Sequence, residues 1–465
     1  MESGGLQKKY GLFTAIAMVV GIVIGSGVFF KAERVLNATG GNLPVGILAW
    51  VIGGLIMVTC AFVFATMATK YEFVNGVVDY AEVIVGRNYA YYVGWFLSSM
   101  YYPAITSVLA WVSARYTCVL LGWDITGGSC MTIACFYLVA VYAMNMLSPV
   151  MAGRFQVSTT VIKLIPLLLM AVIGTFVGLT NGTTIENFTT VVHTDVTGNP
   201  LFTAVVATAF AYEGWIVATS INSELRDAKK NLPIALMVGT LIIMVVYIAY
   251  YVGLAGTVSN QVMMETGEQG VLLAFSTIFG KLGNILFVFV IISCLGTLNG
   301  LMMGCTRGIY ALAMRNEGPK PRVFAQVDKE TDMPTNSGVF AVLLTAFWLF
   351  FFYGSNLVPQ PWFGWASFDS SELPIVALYL FYIPIFILFM KKETEMSAFK
   401  RIIMPLLAIC SCILILVAAY YAHGAAILGF LALFAISMAI GVWMNHRNKK
   451  LAGRGETASP AKPEA

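Results

Sequence analysis

The chain has 465 residues, 59% hydrophobic and only 11% charged, with 27 Lys+Arg against 23 Asp+Glu and a formal net charge of +4. An ordinary soluble domain carries roughly 25% charged residues, and a mean hydropathy of +0.82 is far outside what such a domain can tolerate. The same numbers exclude a disordered chain, a coiled coil and a disulfide scaffold, and a net charge this small with no basic face excludes a nucleic-acid binder. What remains is an all-α polytopic membrane protein.

Crossing the roughly 30 Å hydrocarbon core takes about 20 apolar residues. Runs of that kind predict 12 transmembrane helices, at residues 11–37, 43–69, 89–120, 128–148, 153–179, 200–223, 231–256, 281–313, 336–354, 369–390, 400–421 and 424–445. Pro44, Pro200, Pro233 and Pro374 fall in first turns, where a missing N–H does no harm. Lys8 and Lys9 lead into a long span with no cleavage-type stop, so no signal peptide is expected. Placing both termini in the cytoplasm leaves only Lys31, Arg34, Arg115 and Lys281 on the outer side and Lys163 in mid-membrane, a clear positive-inside bias. The predicted organisation is a cytoplasmic segment 1–10, a first repeat of five spans 11–179, an extracellular loop 180–199, a second repeat 200–390, two further spans within 400–445, and a polar cytoplasmic tail 446–465 disordered from Leu451 onward.

The loop at 180–199 holds two glycosylation-type triplets, at Asn181 and Asn187, which are common by chance. The eight cysteines lie mostly inside spans and read as small apolar packing residues. Cys118 and Cys130 flank an outer loop and are free to pair or not. Three histidines, none beside a cysteine cluster, give metal chemistry no footing, and no cofactor is expected.

Two spans break the membrane pattern. The first reads Gly21-Ile-Val-Ile24-Gly25-Ser26-Gly27-Val28-Phe29-Phe30, and each glycine in a helix interior costs about 0.5–1 kcal/mol. It is either a small-residue packing face or an unwound segment. The sixth reads Phe210-Ala211-Tyr212-Glu213-Gly214-Trp215, with a carboxylate near mid-depth that costs about 2.5–3.5 kcal/mol on insertion scales. Breaks five spans apart are what a five-plus-five inverted repeat produces. Unwound backbone must line a polar cavity. The half-helix beginning near Gly27 would then aim its amides at a carboxylate. Carbonyls ending the half-helices near Ile24 and Phe210 would face an ammonium, so the site fits a zwitterionic α-amino acid. Phe210, Tyr212 and Trp215 are candidates to cover it, and Tyr101, Tyr102, Ile216 and Val217 to shape its wall.

Lys163 is the other anomaly, too deep to snorkel and beside Ser158, Thr159 and Thr160 on an inward-facing polar stripe. Its ammonium either replaces a bound sodium ion, bridging span 1 to Ser293 and Thr297 of span 8, or forms a structural salt bridge with Glu213.

These residues carry a resemblance. Gly25-Ser26-Gly27 with Val28-Phe29 resembles the first-span signature of the amino acid–polyamine–organocation superfamily. Phe210 to Trp215, followed by Ser223-Glu224-Leu225-Arg226 and Asn231-Leu-Pro233, resembles the L-type amino acid transporter family, most of all its bacterial alanine–serine–cysteine exchangers. Gly300 to Arg307 and Arg315-Asn-Glu-Gly318-Pro319 echo its eighth span and following loop. The resemblance covers essentially the whole chain. It implies sodium-independent exchange of small neutral L-amino acids (alanine, serine and cysteine) by alternating access in the cell membrane. It further implies that Ile24, Gly25, Ser26, Gly27, Val28, Phe210, Ala211 and Glu213 form the substrate site. Phe210 would gate it from outside, and Lys163 would stand where other members hold sodium. No heavy-chain subunit is expected. The sequence departs from the family pattern after span 2, at Tyr71 to Tyr80, and at Glu213, where a small or variable residue is expected. Glu213 keeps a proton-coupled symporter on the same fold as the alternative. An intramembrane enzyme is disfavoured by the absence of HExxH and GxSxG motifs.

Overall fold

The computed structural model describes residues 11–71, 76–193, 198–217, 219 and 225–453. The expectations placed on Lys8, Lys9, Ser223, Glu224, residues 72–75 and the tail from 454 lie outside the described residues. The twelve spans are present. Span 1 is a broken pair, Leu12–Val23 and Gly27–Ala38, bent by 49°. Spans 2 to 6 are Leu43–Lys70, Arg87–Leu121, Gly128–Leu147, Pro149–Asn181 and Pro200–Val217. Spans 7 to 12 are Ala228–Ala255, Lys281–Ala313, Thr335–Asn356, Leu373–Lys392, Phe399–His423 and Ala426–Leu451. The helix of span 12 continues to Gly453, so the first residues of the expected tail are ordered.

Local chemistry fixes the starts. Asn42 accepts a hydrogen bond from the amide of Val45 at 3.2 Å, and Asn199 accepts one from Phe202 at 3.2 Å, each just ahead of a first-turn proline. Span 5 begins at Pro149 and not at Gly153, because the same first-turn role falls to that proline.

The packing carries the repeat. Span 1 rests on span 7 as span 6 rests on span 2; span 3 rests on span 9 as span 8 rests on span 4. Span 2 packs on span 7, span 3 on span 8, and the second half of span 1 on the first half of span 6. Adding five to each number maps these neighbours onto one another. Five crossings is an odd number, so the second repeat starts from the opposite side and is inverted.

Short helices that hydropathy does not mark cover both ends. At the end carrying Glu372 lie Thr183–Thr189, Asn260–Thr266 and Glu268–Phe279. Asn187 is only 2% exposed, its amide donating to the carbonyls of Ala255 (2.6 Å) and Val258 (2.9 Å), so this glycosylation-type triplet is consumed by folding. At the opposite end, Val77–Ile84 is clasped by Arg315, which reaches Asp79 at 2.7 Å and Glu82 at 2.8 Å, while Arg87 meets Glu317 at 3.0 Å. Burial pushes the Glu317 carboxyl above its ordinary range, with Arg87 and Arg315 opposing it. The eight cysteines are all free.

Candidate functional site

Span 1 ends its first half at Val23. Ile24 turns extended (φ −65°, ψ 108°), and the helix restarts at Gly27 with Ser26 at its N-cap. The amides of the first turn have no helical partners of their own, so Ser26, Gly27 and Val28 head the second half-helix and concentrate its positive dipole end. Span 6 stops at Ala211 and passes through a turn at Tyr212 to Gly214, where Gly214 takes φ +103°, a conformation that favours glycine. The two breaks touch. A side chain added at Gly27 would lie 2.5 Å from Cα of Ala211, and one at Gly25 would lie 2.3 Å from Oγ1 of Thr297 on span 8. Only glycine permits that approach.

The structure therefore brings together Ile24, Gly25, Ser26, Gly27, Val28, Phe210, Ala211, Ser293 and Thr297. The hydroxyls of Ser26 and Ser293 are fully buried with no hydrogen-bond partner among the described residues. Thr297 spends its own hydroxyl on the Ser293 carbonyl at 3.0 Å.

One residue at the centre escaped sequence reading. Tyr247 of span 7 is fully buried, with its hydroxyl 3.0 Å from the Val23 carbonyl and 3.1 Å from the Ala211 carbonyl, the last acceptors of both half-helices. A tyrosine in a hydrophobic span carries no signal of this role. The half-helices thus end one residue away from Ile24 and Phe210, where their carbonyls were expected.

The aromatic expectations divide. Phe210 packs edge-on against Phe30, ring centroids 5.7 Å apart, over the break. Tyr212 instead turns away to Trp50, donating to its carbonyl at 2.9 Å, and Trp215 packs into Phe64 and Tyr382. Tyr101 is on the wall, its phenol donating to the Glu213 carboxylate. It is held there by a π-helical turn at Leu97–Tyr101, a local widening common at functional positions. Ile216 is buried and Val217 partly so, with no role at the break assigned to either.

Lys163 is 1% exposed and donates to the Gly21 carbonyl, one turn before the break. It ties span 5 to span 1. Neither Ser293 nor Glu213 receives it: span 8 is met by Thr159 against Gly296, and Glu213 is engaged by Tyr101. Gln156, Thr159, Thr160 and Lys163 form the inward stripe, at helical spacing, whereas Ser158 is exposed on the other face. Beside the stripe Asn299 joins spans 4, 5 and 8, bonding Asn145 (2.9 Å), the Ala152 carbonyl (3.1 Å) and Gln156 (3.0 Å).

Above Phe210, on the Glu372 side, sits a charged cluster that the sequence did not announce. Lys31, read as a marker of the outer boundary, is fully buried. Its ammonium meets Glu372 at 2.5 Å and Ser371 at 3.1 Å, and lies 5.0 and 5.3 Å from the ring centres of Phe30 and Phe210. His423 lies 3.1 Å from the other carboxylate oxygen of Glu372.

A first span broken between Val23 and Gly27, packed against a sixth whose helix stops at Ala211 inside an inverted repeat, is the architecture of a membrane carrier. The chain belongs to the amino acid permease family, whose pattern matches residues 10–446, and it is accordingly an amino acid transporter and not an enzyme. It is 28% identical to the serine/threonine exchanger of Bacillus subtilis (strain 168), over 89% of this chain and 92% of that one. It is also 25% identical to the mouse large neutral amino acids transporter small subunit 2 (83% and 76% covered) and 24% identical to the human b(0,+)-type amino acid transporter 1 (87% and 81% covered).

Proposed function

We propose that the protein is a sodium-independent exchanger of small neutral L-amino acids in the cell membrane, with both termini cytoplasmic and the Glu372 end outside. The observation that carries this reading is the Lys163 ammonium on the Gly21 carbonyl. A side chain covalently tied to span 5 there holds span 1 in the place a dissociable cation would otherwise take, and it stays attached through every cycle. The substrate carboxylate is assigned to the amides of Ser26, Gly27 and Val28, its ammonium to the carbonyls of Val23 and Ala211, and the outer cover to Phe210. Serine-sized side chains suit a site walled by Ser293, Thr297 and Ala211, and the serine/threonine exchanger similarity supports that size class. Orientation rests on the basic residues at the Arg315 end. Cys130 is fully buried, which favours action without a disulfide-linked subunit.

A second reading, proton-coupled symport, is favoured by one observation: the Glu213 carboxylate beside the span 6 break, met by the Tyr101 phenol. Uptake of labelled alanine and serine into proteoliposomes separates the two. Exchange predicts uptake only with amino acid inside, unchanged when choline replaces sodium and indifferent to a pH gradient. Uptake into empty vesicles driven by inward protons would replace exchange with symport.

A further inference from the structure

We propose that Lys31, Glu372 and His423 form a charged latch on the outer gate, in series with the Phe30–Phe210 aromatic layer, which must part whenever the site opens outward. The proposal rests on the orientation assigned above. Lys31 belongs to the half-helix that begins at Gly27, one turn from the substrate amides. Any tilt that exposes Ser26 from the Glu372 end carries Lys31 with it. Its partners are on other spans: Glu372 heads span 10, and His423 ends span 11, which packs along spans 10, 2 and 6. Asp369 accepts the Ser371 amide at 2.7 Å, shaping the turn that presents Ser371 and Glu372 to the ammonium. His423 meets the carboxylate oxygen of Glu372 that Lys31 leaves free, at 3.1 Å, and is its positioning residue.

The placement is mechanical as well as electrostatic. The same ammonium that holds Glu372 also lies over both rings of the aromatic layer, so swinging Phe210 aside gives up a cation–π contact to the latched lysine. Closed, the pair is dry, and a lone charge there would be far more costly than the pair. Opened, water reaches both ends and the ions separate cheaply. The latch therefore favours the closed gate without trapping it.

The test reads access and not transport. Ser26→Cys is placed below the latch, and its labelling by a membrane-impermeant methanethiosulfonate is followed by mass spectrometry from each side of the membrane. Adding Glu372→Gln or Lys31→Met should raise the outer-side labelling rate by about fivefold or more, because the surviving group loses its buried ion-pair partner. The neutral double variant Lys31→Met/Glu372→Gln should return to within about twofold of the parent, and His423→Ala should give an intermediate rise, about twofold. Lys31→Arg, which keeps the pair, should label at the parent rate and elute as a single species. Unchanged labelling in both single variants would overturn the latch. So would an equal rise in single and double variants, which is the signature of simple loosening. A rise seen only from the cytoplasmic side would keep the latch and reverse the assigned orientation. None of these outcomes depends on which amino acid is carried.

Discussion

At Gly27 a single methyl group decides whether two broken helices can meet. Gly27→Ala forces Cβ against the Ala211 backbone, and overpacking of this kind costs about 1–3 kcal/mol. We expect transport to fall about five- to hundredfold, since each 1.4 kcal/mol is a factor of ten, while the protein still elutes as a single species; transport assayed beside size exclusion checks both. Lys163→Ala removes the ammonium from Gly21, and we expect turnover in liposomes to drop with folding retained; parental turnover would remove Lys163 from the mechanism. The glycines and Glu213 were legible because they violate the rules of a hydrophobic span. Tyr247 and Lys31 were not. A tyrosine inside a span and a lysine near its end are both ordinary, and what makes them special is a carbonyl or carboxylate supplied from up to 341 residues away.

Among the helices, close backbone approach recurs where spans 5 and 7 cross. A Cβ at Gly253 would lie 2.2 Å from the Met170 carbonyl, and one at Gly256 would lie 2.3 Å from that of Gly174. Span 5 widens there into a π-helical turn, Met170–Gly174. Gly253→Ala should lower the melting temperature in detergent by several degrees, because about 1–3 kcal/mol of overpacking is a large share of marginal stability. Gly153→Ala, which meets nothing within 4 Å inside the helix Pro149–Ile162, is the matched control and should leave it unchanged or raise it slightly. At the end opposite Glu372, Lys70 meets Glu393 at 2.5 Å, with Tyr71 donating to the same carboxylate. Burial alone would raise the Glu393 carboxyl, but these partners hold it below its ordinary range. A carboxyl with a lowered folded pKa contributes stability above its unfolded pKa and loses it as pH falls through the folded one. This tie should thus persist at neutral pH and fade only in acid. Lys70 is 43% exposed, so Glu393→Gln should cost no more than about 1 kcal/mol, measured by thermal shift at neutral pH. Helix existence was readable from hydropathy; the π-turns and loop helices were not, since they follow from contacts with other spans.

Across the whole molecule, the inverted repeat brings the two breaks together and places rings and charges between them and the Glu372 end. On the reading proposed above, alternating access needs only a rocking of spans 1 and 6 against the spans that carry Lys163, Asn299 and Glu372. Exchange and symport share that motion and differ in what the unloaded carrier is allowed to do. Tyr247 bears on this point. Its hydroxyl has one proton and faces two carbonyls, so at any instant it serves only one of the two helix ends, and a buried acceptor without a donor costs about 1–3 kcal/mol. An ammonium group brings three protons to the same place. On the assignment proposed above, a bound ammonium satisfies both helix ends at once, so a carrier turning around with its cargo leaves neither carbonyl waiting on Tyr247.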